Sequence, residues 1–73
     1  IRPGVSREPI CGVDIFPTCC ELAGVPLPSG RKYDGTGLAG LWRGEPLKRE
    51  KPLFWHYYRS ISEPKAALRA GDW

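Results

Sequence analysis

One histidine and one nearby arginine are the side chains in this sequence best suited to meet a substrate. His56 lies between Trp55 and Tyr57, and Arg59 follows shortly after. At the edge of a cleft, an imidazole and a guanidinium would offer hydrogen bonds and positive charge to a substrate. A lone histidine in an aromatic run is also typical of a strand residue that is hydrogen-bonded within a sheet. This structural interpretation of His56 is the favoured one.

The cysteines predict neither a disulfide framework nor a metal centre. Their number is odd, and Cys19 and Cys20 are neighbours, so at most one ordinary bridge is possible. Both fall on apolar rows of a predicted helix, where a thiol acts as a small hydrophobic group, and we therefore expect buried free thiols. With a single histidine, the sequence contains no His-rich metal cluster.

Composition limits the chain to one small domain. Its 73 residues carry a formal net charge of +3 that is spread along the sequence, which argues against nucleic-acid binding. No apolar run approaches the length of a membrane span, and no signal peptide is visible. The sequence begins at Ile1, contains no methionine and ends at Trp73 in mid-pattern. These features predict a fragment of a longer protein.

The most informative structural element is a short helix predicted within residues 13–28. Asp14, Thr18 and Glu21 form one polar row at helical spacing, and Asp14 is expected to accept hydrogen bonds at the helix start. Because the other two rows are apolar, the helix should be wrapped on most sides, with more apolar surface than the rest of this chain can cover. Those rows are Ile15, Cys19 and Leu22, and Phe16, Cys20 and Ala23.

Proline and glycine mark the ends of this helix and of a second one. Pro17 suits a first turn, and Gly24 followed by prolines predicts a sharp stop. Thr36 is expected to cap a second helix that runs through Trp42 and ends at Gly44, with Leu38, Leu41 and Trp42 on one face.

An aromatic strand is predicted at residues 53–58, after a charged connector at residues 45–52. Alternation places Leu53, Trp55 and Tyr57 on one face and Phe54, His56 and Tyr58 on the other. After a loop from Ser60, a second strand is expected at residues 66–69. A turn at residues 70–72 then leads to Trp73, which should open a third strand.

Four motifs occur in order along the chain: D-I-F-P-T-x-x-E-L-A-G-V-P-L-P, D-G-T-G-L-x-x-L-W-R-G-E, P-L-F-W-H-Y and A-A-L-R-A-G-D-W. This order resembles the carboxyl-side region of type I sulfatases of the arylsulfatase and N-acetylgalactosamine-6-sulfatase kind. The sequence departs from the family pattern at Gly37, where serine is usual, at Cys19-Cys20, where two leucines are common, and at Gly40, where proline is common. The loss of apolar volume at the cysteines and at Gly40 predicts looser packing.

The resemblance implies an α+β fragment of an α/β alkaline-phosphatase-like fold, with short helices followed by the start of a small antiparallel sheet. Residues 1–45 would end the catalytic α/β domain, and residues 46–73 would begin the carboxyl-side subdomain. The parent enzyme would cleave sulfate esters of aryl or sulfated-sugar substrates with a formylglycine nucleophile and a calcium ion. His56 and Arg59 would then be the substrate-binding candidates. The family also implies a periplasmic or secreted protein.

The catalytic parts of that family are missing from these residues. No cysteine begins the C/S-x-P-x-R motif, and the similar stretch from Ser62 ends in Ala66 instead of arginine. No Asp-Asp or Asp-Asn pair is present for calcium. We therefore expect a scaffolding fragment that binds no metal and catalyses nothing alone, whose partners are the rest of the parent chain and, through the parent, its sulfate-ester substrate. No nucleic acid or membrane partner is expected.

Two alternatives remain open from the sequence. The parent could be another hydrolase of the alkaline phosphatase superfamily, such as a phosphodiesterase or phosphonate hydrolase. The chain could also be a small non-enzymatic interaction module that is held together by its aromatic strand and a partner.

Overall fold

Two short helices precede a two-stranded antiparallel sheet along the chain. The computed structural model describes residues 3–59 and 61–73. A 3-10 turn at Gly12–Asp14 leads into helix α1 at Ile15–Ala23, and helix α2 follows at Ala39–Trp42. The strands are β1 at Leu53–Tyr57 and β2 at Lys65–Arg69. This order confirms the predicted succession of short helices and antiparallel strands. The predicted loop start at Ser60 and the first two residues of the lead-in lie outside the described residues.

Helix α1 begins and ends where proline and glycine predict. Pro17 lies in its first turn, where a missing N–H costs no helical hydrogen bond. Gly24 has a φ of 68°, a left-handed conformation that glycine adopts without steric cost. The next amide, that of Val25, donates to the Cys20 carbonyl at 2.9 Å and closes the helix end.

The part of α1 that is buried is its first turns, at Pro17 and Thr18, whereas Glu21 is exposed. Asp14, at the junction of the 3-10 turn and α1, is 0% exposed, and Thr18 is also buried. The apolar rows are open, because Ile15, Phe16 and Leu22 remain 63%, 50% and 60% exposed. The predicted wrapping of the helix on most sides is therefore not provided by the described residues, and it stays a prediction for a longer protein. The expectation that this chain cannot cover the apolar surface is confirmed.

The cysteines follow the same pattern. All three are free, as predicted, but Cys19 is exposed, whereas Cys11 and Cys20 are half-buried. The expectation of buried thiols is not met at Cys19 in this chain, because its row of α1, shared with Ile15 and Leu22, is exposed.

Helix α2 starts later than the sequence predicts. Leu38, not Thr36, occupies the position before its first residue, and no side chain of its own segment caps it. The Thr36 amide instead donates to the side chain of Asp14, the residue that precedes α1. The helix ends as expected at Gly44, where φ is 82° and the Glu45 amide donates to the Gly40 carbonyl at 3.0 Å.

Strand β1 pairs with β2 in antiparallel register, with Leu53 opposite Arg69 and His56 opposite Ala66. The predicted alternation is confirmed at the start of β1, because Leu53 is buried and Trp55 half-buried while His56 on the other face is exposed. All of β2 is exposed. Tyr57, predicted to share the inner face, is also exposed, so the cover of the hairpin is limited to its first residues.

A tight turn follows β2. Ala70 and Trp73 exchange two backbone hydrogen bonds of 3.0 and 3.1 Å across Gly71, whose φ is 62°. This is the arrangement of a two-residue hairpin turn with glycine at the first central position, and it confirms the predicted turn. Trp73 pairs as the first residue of a returning strand would, although it is not itself in a strand.

No helix among the described residues has the length and apolarity needed to cross a membrane.

Candidate functional site

A buried carboxylate lies at the centre of the molecule. The side chain of Asp14 accepts the Cys11 amide at 2.9 Å on Oδ2 and the Thr36 amide at 2.8 Å on Oδ1. Arg49 donates to the same two oxygens, from Nη1 at 2.8 Å and from Nη2 at 2.9 Å. We call Asp14, Arg49, Cys11 and Thr36 the Asp14 cluster. It joins the lead-in, the loop before α2 and the charged connector to the start of α1.

Arg49 is half-buried beside its fully buried partner. Its side chain is 14% exposed, and Nη2 also donates to the Pro9 carbonyl at 3.2 Å. A guanidinium that binds both oxygens of a carboxylate fixes the orientation of the pair as well as its distance. This contact crosses the predicted domain boundary after residue 45, and the division into two domains stays a prediction.

The two charges stabilise each other inside the protein. Burial raises the pKa of Asp14, but hydrogen bonds from Arg49, Thr36 and Cys11 outweigh it, and the pKa lies below its ordinary value. The hydrogen bond to Asp14 in turn raises the pKa of Arg49 above its ordinary value. The pair is therefore ionised at neutral pH.

The remaining members of the polar row bind backbone amides of the segment that enters α2. The Thr18 hydroxyl donates to the Asp14 carbonyl at 2.6 Å and accepts the Leu38 amide at 3.0 Å. One turn on, Glu21 Oε2 accepts the Ala39 amide at 3.1 Å, so α1 caps the start of α2. The side chains of Asp14, Thr18 and Glu21 thus accept hydrogen bonds from three backbone amides of one loop. These are the amides of Thr36, Leu38 and Ala39.

Glycine allows this close approach. A Cβ at Gly35 would collide with the backbone carbonyl of Val13, and one at Gly37 would collide with the Glu21 carboxylate. The first obstacle is backbone and cannot move aside easily, so Gly35 is required for the loop to lie against the helix start.

The Asp14 cluster is a structural joint and not a reaction centre. Four donors occupy the two oxygens of Asp14, which leaves no acceptor site for a substrate proton or a cation. Within the described residues, no group of three or more His, Cys, Asp or Glu side chains is arranged to hold a metal ion. The calcium ion that the family resemblance implies for the parent enzyme stays a prediction.

The predicted substrate-binding residues lie away from this cluster, on the hairpin. His56 is on the exposed face of β1, with its ring 6.3 Å from that of Phe54. Arg59 is exposed in the bend after β1. No hydrogen bond or ion pair joins these two side chains within the described part of the chain, and their role in substrate binding stays a prediction.

Sequence reasoning missed Arg49, which it placed in a charged connector. The polar row of α1 was the feature of the sequence that could have indicated a partner for Asp14. A helix with two apolar rows that carries a carboxylate on its third row needs partners if that row is buried. Which of the connector's basic side chains supplies the charge was not visible from the sequence, because it depends on how the connector folds back.

Comparison with known proteins points to one family, although no family model matches the chain. Steryl-sulfatase of Mus musculus is 41% identical over 58 residues, which cover 78% of this chain and 9% of that protein. Choline-sulfatase of Rhizobium meliloti (strain 1021) is 33% identical over 75 aligned residues, which cover 100% of this chain and 14% of that protein. Arylsulfatase of Hemicentrotus pulcherrimus is 42% identical over 38 residues, which cover 52% of this chain and 7% of that protein.

The chain thus spans only 9 to 14% of the length of the steryl- and choline-sulfatases that it matches. The three matched proteins share a sulfatase name across animal and bacterial sources, and one alignment covers the whole chain. This agrees with the order of motifs along the sequence, and the chain belongs to the sulfatase family.

Proposed function

We propose that these 73 residues are a scaffolding segment of a larger sulfuric ester hydrolase with an alkaline-phosphatase-like fold. Residues 1–45 would close its catalytic α/β domain, and residues 46–73 would begin a small antiparallel subdomain. The proposal rests on which residues of α1 are buried and which are exposed. Its polar row is satisfied inside the chain while its apolar rows are left open.

The open rows are suited to receive another part of the same polypeptide. Ile15, Phe16 and Leu22 are large apolar side chains, and a contiguous apolar face of this kind normally lies against a partner surface. The sulfatases that the chain matches are many times longer, so a domain large enough to cover this face is expected in the parent. The nucleophile and the cation would come from that domain.

The hairpin would contribute to the rim of the substrate cleft. His56 and Arg59 are both exposed, carry donors, and lie on or directly after β1. Their imidazole and guanidinium groups match the negative charge of a sulfate ester and the hydroxyl groups of a sugar.

A direct assay tests the activity. The full-length parent would be expressed with its nucleophile converted to formylglycine and with calcium supplied, and sulfate release would be followed from an aryl sulfate, a sulfated amino sugar, a steryl sulfate and choline sulfate. The last two esters are chosen from the names of the matched relatives. Release from at least one ester is expected. Cleavage of a phosphodiester or a phosphonate ester without sulfate release would favour the related hydrolases instead, and no cleavage at all would contradict the proposal.

A further inference from the structure

Few contacts attach the β1–β2 hairpin to the helical part of the molecule. Leu53 is the buried residue of β1, and β2 is exposed along its length. Trp55 donates its indole N–H to the Cys11 sulfur at 3.1 Å. A two-stranded hairpin is only marginally stable alone, so the contacts at its base decide where it lies.

Arg49 attaches the connector that leads into the hairpin to the start of α1. It lies in the connector shortly before β1. Both of its terminal nitrogens, Nη1 and Nη2, donate to the Asp14 carboxylate. Its further hydrogen bond to the Pro9 carbonyl holds it from a second side. Because this bidentate geometry fixes the guanidinium plane, Arg49 sets the path by which the chain enters β1.

We propose that Arg49 is a positioning residue, which holds the β1–β2 hairpin on the start of α1 and thereby places His56 at the rim of the substrate cleft. This inference rests on the proposed sulfatase function. Arg49 touches no substrate in it and acts through the hairpin alone.

Displacement of a cleft rim has a recognisable kinetic consequence. A small ester that reaches the reaction centre makes little contact with the rim, whereas a bulky ester lies against it. A shift of the hairpin therefore changes kcat/KM for the bulky ester more than for the small one. Simple loss of folded enzyme lowers both rates by the same factor and leaves their ratio unchanged.

Arg49→Lys in the full-length parent provides the test. Lysine keeps the charge but cannot bind both oxygens of Asp14. The measured quantity is the ratio of kcat/KM for the largest and the smallest sulfate esters that the wild type cleaves, starting with a steroid sulfate and 4-nitrophenyl sulfate. We expect the ratio to fall about tenfold, since a displacement of ~1 Å can cost up to a hundredfold in rate.

Arg43→Lys is the matched control, because Arg43 forms an exposed ion pair with Glu45 at 3.3 Å, away from the hairpin. It should leave the ratio unchanged. Asp14→Asn weakens the same contact from the other side, because an amide accepts from Arg49 with one oxygen only, and it is the second variant if Arg49→Lys does not fold. An active wild type whose ratio is unchanged in the variants that fold would overturn the positioning role alone. A wild type that releases no sulfate would overturn the proposed function, and the positioning role with it.

Discussion

Arg49 and Asp14 lie side by side with two parallel hydrogen bonds of 2.8 and 2.9 Å between guanidinium and carboxylate. The two residues are far apart in the sequence, and their contact joins the charged connector to the first turn of α1. The backbone amides of Cys11 and Thr36 complete the acceptor sites of Asp14. One ion pair thereby fixes three loops around the start of one helix.

Removal of the Arg49 guanidinium should strongly destabilise the proposed parent protein. Arg49→Met leaves the Asp14 carboxylate buried without its main partner, and we expect a loss of about 3–5 kcal/mol in the free energy of unfolding. Urea denaturation of the full-length protein measures this loss. Arg43→Met is the control, because that exposed pair with Glu45 should contribute at most about 1 kcal/mol. Equal effects of the two substitutions would contradict the central role of Arg49.

Acid should weaken the same joint. The folded pKa of Asp14 lies below its unfolded value, so its contribution to stability is complete above the unfolded value of about 3.9 and is lost as the pH falls through the folded pKa. We therefore expect the melting temperature of the wild type to drop below about pH 4. Asp14→Asn should melt lower at neutral pH and show a weaker dependence in this acid range. Parallel melting curves for the two proteins would show that Asp14 is not responsible.

The stability of the protein should depend on the hydroxyl group of Thr18 and not on the volume of its side chain. Thr18→Val keeps the volume but leaves the buried Leu38 amide without an acceptor, which should cost about 1–3 kcal/mol. Thr18→Ser retains the hydroxyl and serves as the control, with a smaller loss expected. Chemical denaturation of both variants in the full-length protein decides the point, and a valine variant as stable as the serine variant would contradict it.

Cys19 should report whether the apolar face of α1 is covered in the parent. This thiol is exposed here, on the same row as Ile15 and Leu22. A maleimide reagent should modify it readily in the isolated 73-residue chain and slowly in the native full-length protein. Unfolding the parent in urea should restore the reaction and is the internal control. Rapid modification of Cys19 in the native parent would show that nothing lies against this face.

Local structure was largely predictable from the sequence, because it depends on short-range properties. The stop of α1 at Gly24 and the turn at Gly71 follow from the conformations that glycine tolerates, and both are observed. The alternation of Leu53 and Trp55 against His56 followed from the period of a strand and is observed as well. The family, too, was indicated by four motifs in order and is confirmed by the similarity to sulfatases.

Burial was predicted less well, because amphipathicity identifies the faces of a helix but not their neighbours. The apolar rows of α1 were expected to be wrapped, whereas this chain buries Asp14 and Thr18 of the polar row. The reason is the loop before α2, whose amides at Thr36, Leu38 and Ala39 find their acceptors in the side chains of that row.

The sequence by itself determined where α1 ends and where the strands form, since glycine, proline and side-chain periodicity act within a few residues of each other. Only the tertiary structure decided that Arg49, among all the basic residues, is the partner of Asp14. That choice depends on how the connector from α2 to β1 folds back over the start of α1, and the short-range patterns of the sequence do not encode this. The carboxylate was visible in the sequence from the start, but its function as the joint of three loops is a property of the fold.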